Sequence, residues 1–141
     1  MTTKTVLVAC ADGSEDIELA CIVDTLRRAK ADVTVATVNS SLKTTLARGL
    51  KIEADALLEE CQDKVYDAIV LPGGMPGAKN LAASETLVRM LRDQDKHHRV
   101  VAAICAAPAV VLQAHGIIGK RHATAYPSFV DKLDEKTAKK D

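Results

Sequence analysis

The chain has 141 residues, 48% of them hydrophobic, and its 19 Lys and Arg residues balance its 19 Asp and Glu residues. This length predicts one domain, residues 1–141, with enough apolar side chains for a core. A net charge near zero argues against an extended basic surface, so we expect neither specific nucleic-acid binding nor an anionic membrane as a partner. No apolar stretch is long enough to span a bilayer, and the N-terminal segment does not have the pattern of a signal peptide.

Apolar residues recur along the chain in the patterns of alternating strands and helices. In chain order the sequence predicts strand 5–10, helix 15–30 with Ser14 as its N-cap, strand 32–38, a short strand or hairpin 46–53 around Gly49, a short helix 56–61, strand 68–71, a helix to about residue 95 capped by Ser84, strand 100–104, a helix to about residue 116, and a strand near 122–126. This alternation is typical of an α/β fold in which a doubly wound, mostly parallel sheet carries helices on both faces. Ligand sites of such sheets lie beyond the carboxyl ends of the strands, here the loops 11–16, 72–77 and 105–107.

The last segment, residues 131–141, is almost wholly charged or small. Such a segment has no apolar face to bury, so it is predicted to be either a solvated helix or a disordered tail. The sequence contains no internal repeat and no low-complexity linker that would divide the chain further.

The cysteines show no CxxC spacing and no pattern of a disulfide framework; they are Cys10, Cys21, Cys61 and Cys105. This usage indicates reduced thiols and a cytoplasmic protein. None of the four histidines pairs with a cysteine at the spacing of zinc ligands, so we expect no metal site.

Cys105 follows residues 100–104, which are apolar on both faces and therefore predict a buried parallel strand. The segment after it predicts a helix with Pro108 in the first turn, where no backbone N–H is needed. Cys105 then lies on a sharp strand-to-helix turn at the carboxyl edge of the sheet, where a helix N-terminus would stabilise a thiolate. A buried core cysteine is an equally good interpretation of the local sequence.

Three acidic residues lie in the first turn of the first predicted helix. Glu15 and Asp16 are most simply explained as charges that complement the helix dipole. Glu18 begins the buried face of this helix, which is a poor place for an unpaired carboxylate. A partly buried Glu18 could keep its proton and donate a hydrogen bond to a Cys105 thiolate, which would lower the pKa of the cysteine.

The loop 72–77 reads Pro-Gly-Gly-Met-Pro-Gly, which matches neither a Walker A loop nor a dinucleotide fingerprint. It is either a tight turn or half of an oxyanion hole, in which the N–H groups of Gly74 and Ala106 point at a reacting carbonyl. No His, Ser or Asp is visibly paired with Cys105 in the sequence. Tyr126 is either a strand-end packing residue or part of the site.

The segments that carry chemistry resemble the ThiJ/PfpI superfamily, in the branch of the Parkinsonism-associated protein DJ-one and its bacterial relatives. The motif AAICAAP, joined to LPGG and to the upstream GSEDIE, is highly specific for this branch. The similar segments extend over essentially the whole chain and are residues 6–18, 23–29, 66–78, 101–108 and 126–132.

The resemblance implies a flavodoxin-like fold and a homodimer. It implies that Cys105 is the reactive cysteine and Glu18 the buried acid that hydrogen-bonds to it. It further implies that Gly74 and Ala106 are the oxyanion donors, with Gly73 beside them in the substrate site.

Other positions are assigned by the resemblance to the pocket or to the dimer interface; these are Glu15, Arg28, Arg48 and Tyr126. Some members have a His where this chain has Tyr126, which weakens a Cys–His general base and leaves proton transfer to Glu18. More distant members that act as proteases have a His directly after the cysteine, where this chain has Ala106.

The resemblance implies a cofactor-free enzyme that converts methylglyoxal and glyoxal to lactate and glycolate without glutathione. It also implies deglycase action on early glycation adducts, so that small dicarbonyls and glycated proteins are the expected partners. The alternative is a non-enzymatic oxidative-stress sensor or redox-regulated chaperone that acts through oxidation of Cys105. The family's final strand and helix have no counterpart before Asp141, so we expect the sequence to be part of a longer protein.

Overall fold

The computed structural model describes residues 2–135 and residue 138. Their strands and helices are β1 (Thr5–Cys10), α1 (Asp16–Arg28), β2 (Asp32–Thr37), β3 (Lys43–Thr45), β4 (Lys51–Glu53), β5 (Ala56–Leu57), a first 3₁₀ helix (Leu58–Glu60), β6 (Ala68–Leu71), α2 (Gly77–Ala83), α3 (Glu85–Lys96), β7 (Val100–Ala103), a π-type helix (Pro108–Gln113) and a second 3₁₀ helix (Pro127–Lys132). Within this described part, five parallel strands form a sheet in the order β5-β2-β1-β6-β7, and β3 and β4 form an antiparallel hairpin.

Successive side chains of a strand point to opposite faces of a sheet, and β1 shows what this does to the core. Val6 and Val8 pack on α1 residues such as Leu19, while Leu7 and Ala9 belong to the apolar cluster on the other face. That second cluster contains residues from α2, α3 and the π-type helix. The predicted doubly wound α/β fold, with a mostly parallel sheet covered on both faces, is therefore confirmed.

The start of α1 differs from the prediction. Ser14 is not the N-cap: it is buried, and its Oγ accepts a hydrogen bond from the Ala11 N–H at 3.0 Å. The cap is Glu15, whose Oε2 accepts from the Glu18 N–H at 2.9 Å. A longer acidic side chain one residue later thus binds one of the free N–H groups of the first turn.

Two short predictions were wrong and one helix was not predicted. Residues 56–61 do not form a helix, because Ala56–Leu57 pairs with β2 and only a 3₁₀ turn follows. The strand expected near residues 122–126 is reduced to an isolated bridge between Ala123 and Ala138. Helix α2 begins inside the glycine-rich loop, where its glycine gives little helical signal.

The predicted burial of residues 100–104 on both faces was also wrong. Val100 is 58% exposed and Ile104 is 48% exposed, because β7 is the last strand at its edge of the described sheet.

The charged segment 131–141 begins inside the second 3₁₀ helix, and Leu133 is buried. Leu133 belongs to the apolar core cluster, so the start of this segment does bury a side chain. The rest of the tail prediction falls on residues 136, 137 and 139–141, which lie outside the described residues.

Candidate active site

Cys105 lies on a sharp turn between β7 and the π-type helix. In the pairing of β6 with β7, Leu71 lies opposite Ala103, so the residues that follow the two strands lie side by side. The Ile104 N–H still donates to the Leu71 carbonyl at 3.2 Å, and Cys105 then adopts a φ of 62°. This left-handed conformation is strained for a residue other than glycine. The turn holds Cys105 half-buried at the carboxyl edge of the sheet, as the sequence predicts.

Glu18 reaches the same edge from the first turn of α1. The Gly73 N–H donates to Glu18 Oε2 at 2.7 Å, and the Glu15 N–H donates to the Gly73 carbonyl at 3.0 Å. Both polar groups of Gly73 are therefore bound to α1. This pair of hydrogen bonds joins the loop after β6 to the helix after β1 and fixes the Glu18 carboxyl next to the cysteine.

The Cys105 thiol is surrounded by the groups that the sequence predicts. Its side chain is hydrogen-bonded to Glu18, and the backbone N–H groups of Gly74 and Ala106 also face the sulfur. Burial raises the pKa of Cys105 above its ordinary value, and the hydrogen bond and negative charge of Glu18 raise it further, while the two N–H groups oppose the rise.

A lowered pKa was expected for Cys105, and the structure corrects this expectation. The expectation required Glu18 to act as the donor to a thiolate. Here Glu18 Oε2 accepts a hydrogen bond from the Gly73 N–H, and the pKa of Cys105 is raised first by burial and then by its contact with Glu18. Burial and an adjacent negative charge both disfavour a thiolate, so the direction of the shift favours the thiol form of Cys105.

The glycines of the loop 72–77 permit this close approach. A Cβ added to Gly73 would lie 2.6 Å from the Cys105 Cβ and 2.9 Å from Glu18 Oε2. Gly74 has a φ of 86°, and a Cβ there would lie 2.5 Å from the Glu15 N. A side chain at the first position would therefore enter between the acid and the thiol, and one at the second would collide with the backbone of Glu15 and Gly13.

Of the other predicted site residues, Glu15 and Tyr126 lie next to the cysteine turn, and Arg28 lies far from it. Glu15 lies in the site as the cap of α1, and Tyr126 approaches it through its main chain, with its N–H donating to the Cys105 carbonyl at 2.8 Å. Arg28 is exposed at the far end of α1, ~15 Å from Glu18 at 1.5 Å per residue, and pairs with Asp24.

Arg48 lies in the loop between β3 and β4, beside the start of α1. Its main-chain N–H donates to Asp16 Oδ1 at 2.7 Å, and the Leu50 N–H donates to the other carboxylate oxygen at 3.1 Å. Asp16 therefore holds this loop against α1, which the sequence analysis did not predict. An acidic residue in a first helical turn gives no sequence signal that separates a loop anchor from a dipole partner.

Among residues 2–135 and 138, no group of three or more His, Cys, Asp or Glu side chains is arranged to hold a metal ion. In the same described part, no helix has the length and apolar character needed to cross a membrane.

The chain is similar to proteins of known family. The model of the DJ-1/PfpI family matches residues 4–140. Protein DJ-1 homolog B of Arabidopsis thaliana is 45% identical over 135 residues, which are 96% of this chain and 31% of that protein. This chain spans about a third of the length of that relative and of Protein DJ-1 homolog A from the same plant.

Two other relatives bear on the site. Glutathione-independent glyoxalase DJR-1.2 of Caenorhabditis elegans is 35% identical over 124 residues, 88% of this chain and 64% of that protein. The solved structure of oxidized Toxoplasma gondii DJ-1 has a TM-score of 0.97 and 42% identity, over 99% of this chain and 76% of that one. By sequence and by fold, the chain belongs to the DJ-1/PfpI family.

Proposed function

We propose that the protein is a cofactor-free, cysteine-dependent glyoxalase and deglycase that acts on methylglyoxal, glyoxal and early glycation adducts. The observation that carries the proposal is the hydrogen-bonded pair of Cys105 and Glu18, with the Gly74 and Ala106 N–H groups beside the sulfur. The similarity to a protein named glutathione-independent glyoxalase supports the same reaction.

In the first step Glu18 accepts the thiol proton while the Cys105 sulfur attacks the aldehyde carbon and a C–S bond forms. The aldehyde oxygen becomes an alkoxide, which the Gly74 and Ala106 N–H groups stabilise. Glu18 then returns the proton to that oxygen, which gives a neutral hemithioacetal. A raised pKa of Cys105 suits this order, because the proton leaves only as the sulfur attacks.

In the second step the Glu18 carboxylate removes the hydrogen from the carbon that carries sulfur, and the electron pair forms an enediolate. Glu18 delivers this proton to the former ketone carbon, while the hydroxyl proton moves to the former ketone oxygen. The product is a hydroxy-acid thioester on Cys105, and water hydrolyses it to lactate from methylglyoxal or glycolate from glyoxal. One carbon is oxidised and its neighbour is reduced, so no external oxidant is needed.

The test is the consumption of methylglyoxal without glutathione by the wild-type chain and by Cys105→Ser. We expect turnover in the wild type and a loss of at least ~100-fold in the variant, because the nucleophile and its proton transfer act as a unit. Cys21→Ser is the matched control, since Cys21 is an exposed free cysteine on α1. Full turnover in Cys105→Ser would contradict the proposal.

A second candidate function is a redox sensor or redox-regulated chaperone. Cys105 is a half-buried free thiol at the sheet edge, and the Toxoplasma gondii relative was solved in an oxidized form. Peroxide titration followed by intact mass separates this function from the first. Addition of two oxygen atoms in the wild type but not in Cys105→Ala is the result expected of a sensor, and an inert Cys105 would exclude it.

The proposal includes glycated proteins as substrates, a homodimer and a cytoplasmic location, as the family resemblance implies. An exposed apolar side chain on α1, Ile17 at 71%, suits a second copy packed on that helix. Sedimentation equilibrium measures the assembly directly, and a mass of one chain at all concentrations would contradict the dimer.

A further inference from the structure

The Cys105–Ala106 peptide group is bound on both of its edges. On one edge the Cys105 carbonyl accepts a hydrogen bond from the Tyr126 main-chain N–H at 2.8 Å. On the other edge the Ala106 N–H faces the Cys105 sulfur. A trans peptide is planar with its C=O and N–H directed oppositely, so the direction of the carbonyl fixes the direction of the N–H.

This peptide follows a strained residue and needs such a support. Cys105 has a φ of 62°, a conformation that is strained for a residue with a Cβ and persists only where neighbours determine it. Bonds on either side hold the turn, from the Ile104 N–H to the Leu71 carbonyl and from the Ala107 N–H to the Ile104 carbonyl. Neither of these bonds reaches the carbonyl of Cys105 itself.

The Tyr126 N–H comes from a strap, residues 117–133, that is fastened on both sides of it. Ile117 and Ile118 are buried before it, and Val130 and Leu133 are buried after it. Tyr126 itself is 54% exposed, and its φ of −52° leads directly into the second 3₁₀ helix. The contact with the cysteine is therefore made by the main chain of an otherwise exposed residue.

We propose that the Tyr126 main-chain N–H is a positioning group of the active site, which holds the Cys105 carbonyl and thereby aims the Ala106 N–H at the reacting atoms. This inference rests on the proposed function, since it gives the Ala106 N–H its role at the alkoxide. A hydrogen bond to the carbonyl of a peptide also polarises its N–H, so the same contact strengthens the oxyanion donor. The strap then influences the reaction through a main-chain N–H group and not through a side chain.

The test removes the N–H and keeps the backbone angle. Tyr126→Pro does this, because proline fixes φ near −65° and lacks the donor, and the observed φ of −52° is within its range. Tyr126→Ala is the matched reference, since it removes the same ring and keeps the N–H. A third variant replaces Tyr126 by its α-hydroxy acid, which retains the ring and substitutes an ester oxygen for the N–H.

Two quantities are measured on each protein: kcat and KM for methylglyoxal, and the rate of Cys105 alkylation by iodoacetamide against pH. Loss of one oxyanion donor costs roughly 10²–10³ in kcat, so we expect misalignment to lower kcat at least tenfold in Tyr126→Pro relative to Tyr126→Ala, with similar KM. The alkylation midpoint should move to higher pH in the same comparison, because the Ala106 N–H favours the thiolate. The ester variant should show both changes relative to the wild type.

Equal kcat and equal alkylation midpoints in Tyr126→Pro and Tyr126→Ala would overturn the inference. If the proline variant does not fold, the ester variant against the wild type decides in the same way. If no protein consumes methylglyoxal, the proposed function fails, and the alkylation midpoints still decide whether the N–H positions the peptide.

Discussion

Gly73→Ala is the substitution that tests the candidate site most directly, because the methyl group would enter between Cys105 and Glu18. The added Cβ would lie 2.6 Å from the Cys105 Cβ, 2.9 Å from the Ala106 N and 2.9 Å from Glu18 Oε2. Two of these three neighbours belong to the turn held by the Tyr126 N–H, so they cannot all move aside. The structure therefore predicts that Glu18 and Cys105 are pushed apart.

The size of the effect follows from this geometry. Gly73 does not have a positive φ, so the whole cost is steric. An extra methyl group in a well-packed site costs about 1–3 kcal/mol, which lowers the urea midpoint by roughly 1 M at m-values of about 1–3 kcal/mol/M. A misplacement of about 1 Å costs about 100-fold in turnover, so the loss of activity should exceed what the loss of stability explains.

Urea denaturation and methylglyoxal turnover are measured on the same preparations, with Gly116→Ala as control. Gly116 has a φ of 70° and nothing within 4 Å of an added Cβ, so its substitution costs ~1–2 kcal/mol in backbone strain and touches no part of the site. We expect both variants to be less stable and only Gly73→Ala to lose turnover. Wild-type turnover in a folded Gly73→Ala would refute the described packing of Glu18 against Cys105.

Glu18→Gln should move the alkylation midpoint of Cys105 to lower pH, because the charge of Glu18 raises the pKa of Cys105. Turnover should fall, because in the proposed mechanism the Glu18 carboxylate carries the proton. A midpoint that rises would mean that Glu18 donates a hydrogen bond to the Cys105 thiolate. Burial raises the pKa of Cys10 from 9.0 to about 11, so stability is full below pH 9 and falls by up to roughly 3 kcal/mol as the pH rises toward 11. Urea denaturation of Cys10→Ala at pH 8 and pH 10.5 should show a smaller alkaline loss than the wild type, and an equal loss would contradict this cause. Ser84→Ala should lower the free energy of unfolding by ~1 kcal/mol without changing turnover, since its Oγ caps α3 by accepting the Leu87 N–H; unchanged stability would show that the cap contributes nothing.

The strands that form the middle of the sheet could be predicted from the sequence, because their signal is local. Thr5–Cys10 and Ala68–Leu71 begin and end where the sequence predicts. Both are short apolar runs bounded by polar or turn residues, and both lie between two other strands. Burial on both faces demands apolar residues at every position, which leaves little ambiguity in a short run.

Elements whose structure depends on distant partners were predicted less well. Ala56–Leu57 has no strand pattern of its own and becomes a strand because β2 offers an edge. Residues 122–126 have a weak strand pattern, yet the chain there bonds to the Cys105 carbonyl instead of joining the sheet. Exposure of Val100 likewise depends on which strand lies at the edge, which no local pattern records.

The proximity of Cys105 and Glu18 could be expected from the sequence, but the direction of the Cys105 pKa shift could not. Cys105 and Glu18 could be chosen because each residue type is unusual where it stands, a thiol at a strand end and an acid on an apolar helix face. The raised pKa of Cys105 comes first from burial and then from contact with Glu18, and the hydrogen bond from the Gly73 N–H to Glu18 Oε2 holds the carboxyl in that contact. That hydrogen bond joins residues 55 positions apart, so the sequence alone predicted the opposite direction for the pKa of Cys105.

Most groups that surround the sulfur are main-chain groups, and this has a consequence for how the site is tested. The N–H groups of Gly74 and Ala106 face the thiol. The Tyr126 N–H binds the carbonyl of the Cys105–Ala106 peptide and so supports it from the strap. Exchange of side chains at such positions reports on space, as Gly73→Ala does, and leaves the donors in place. The role of a supporting main-chain donor is therefore tested by a substitution that removes its N–H and keeps the backbone angle, and Tyr126 permits one because proline accepts its φ.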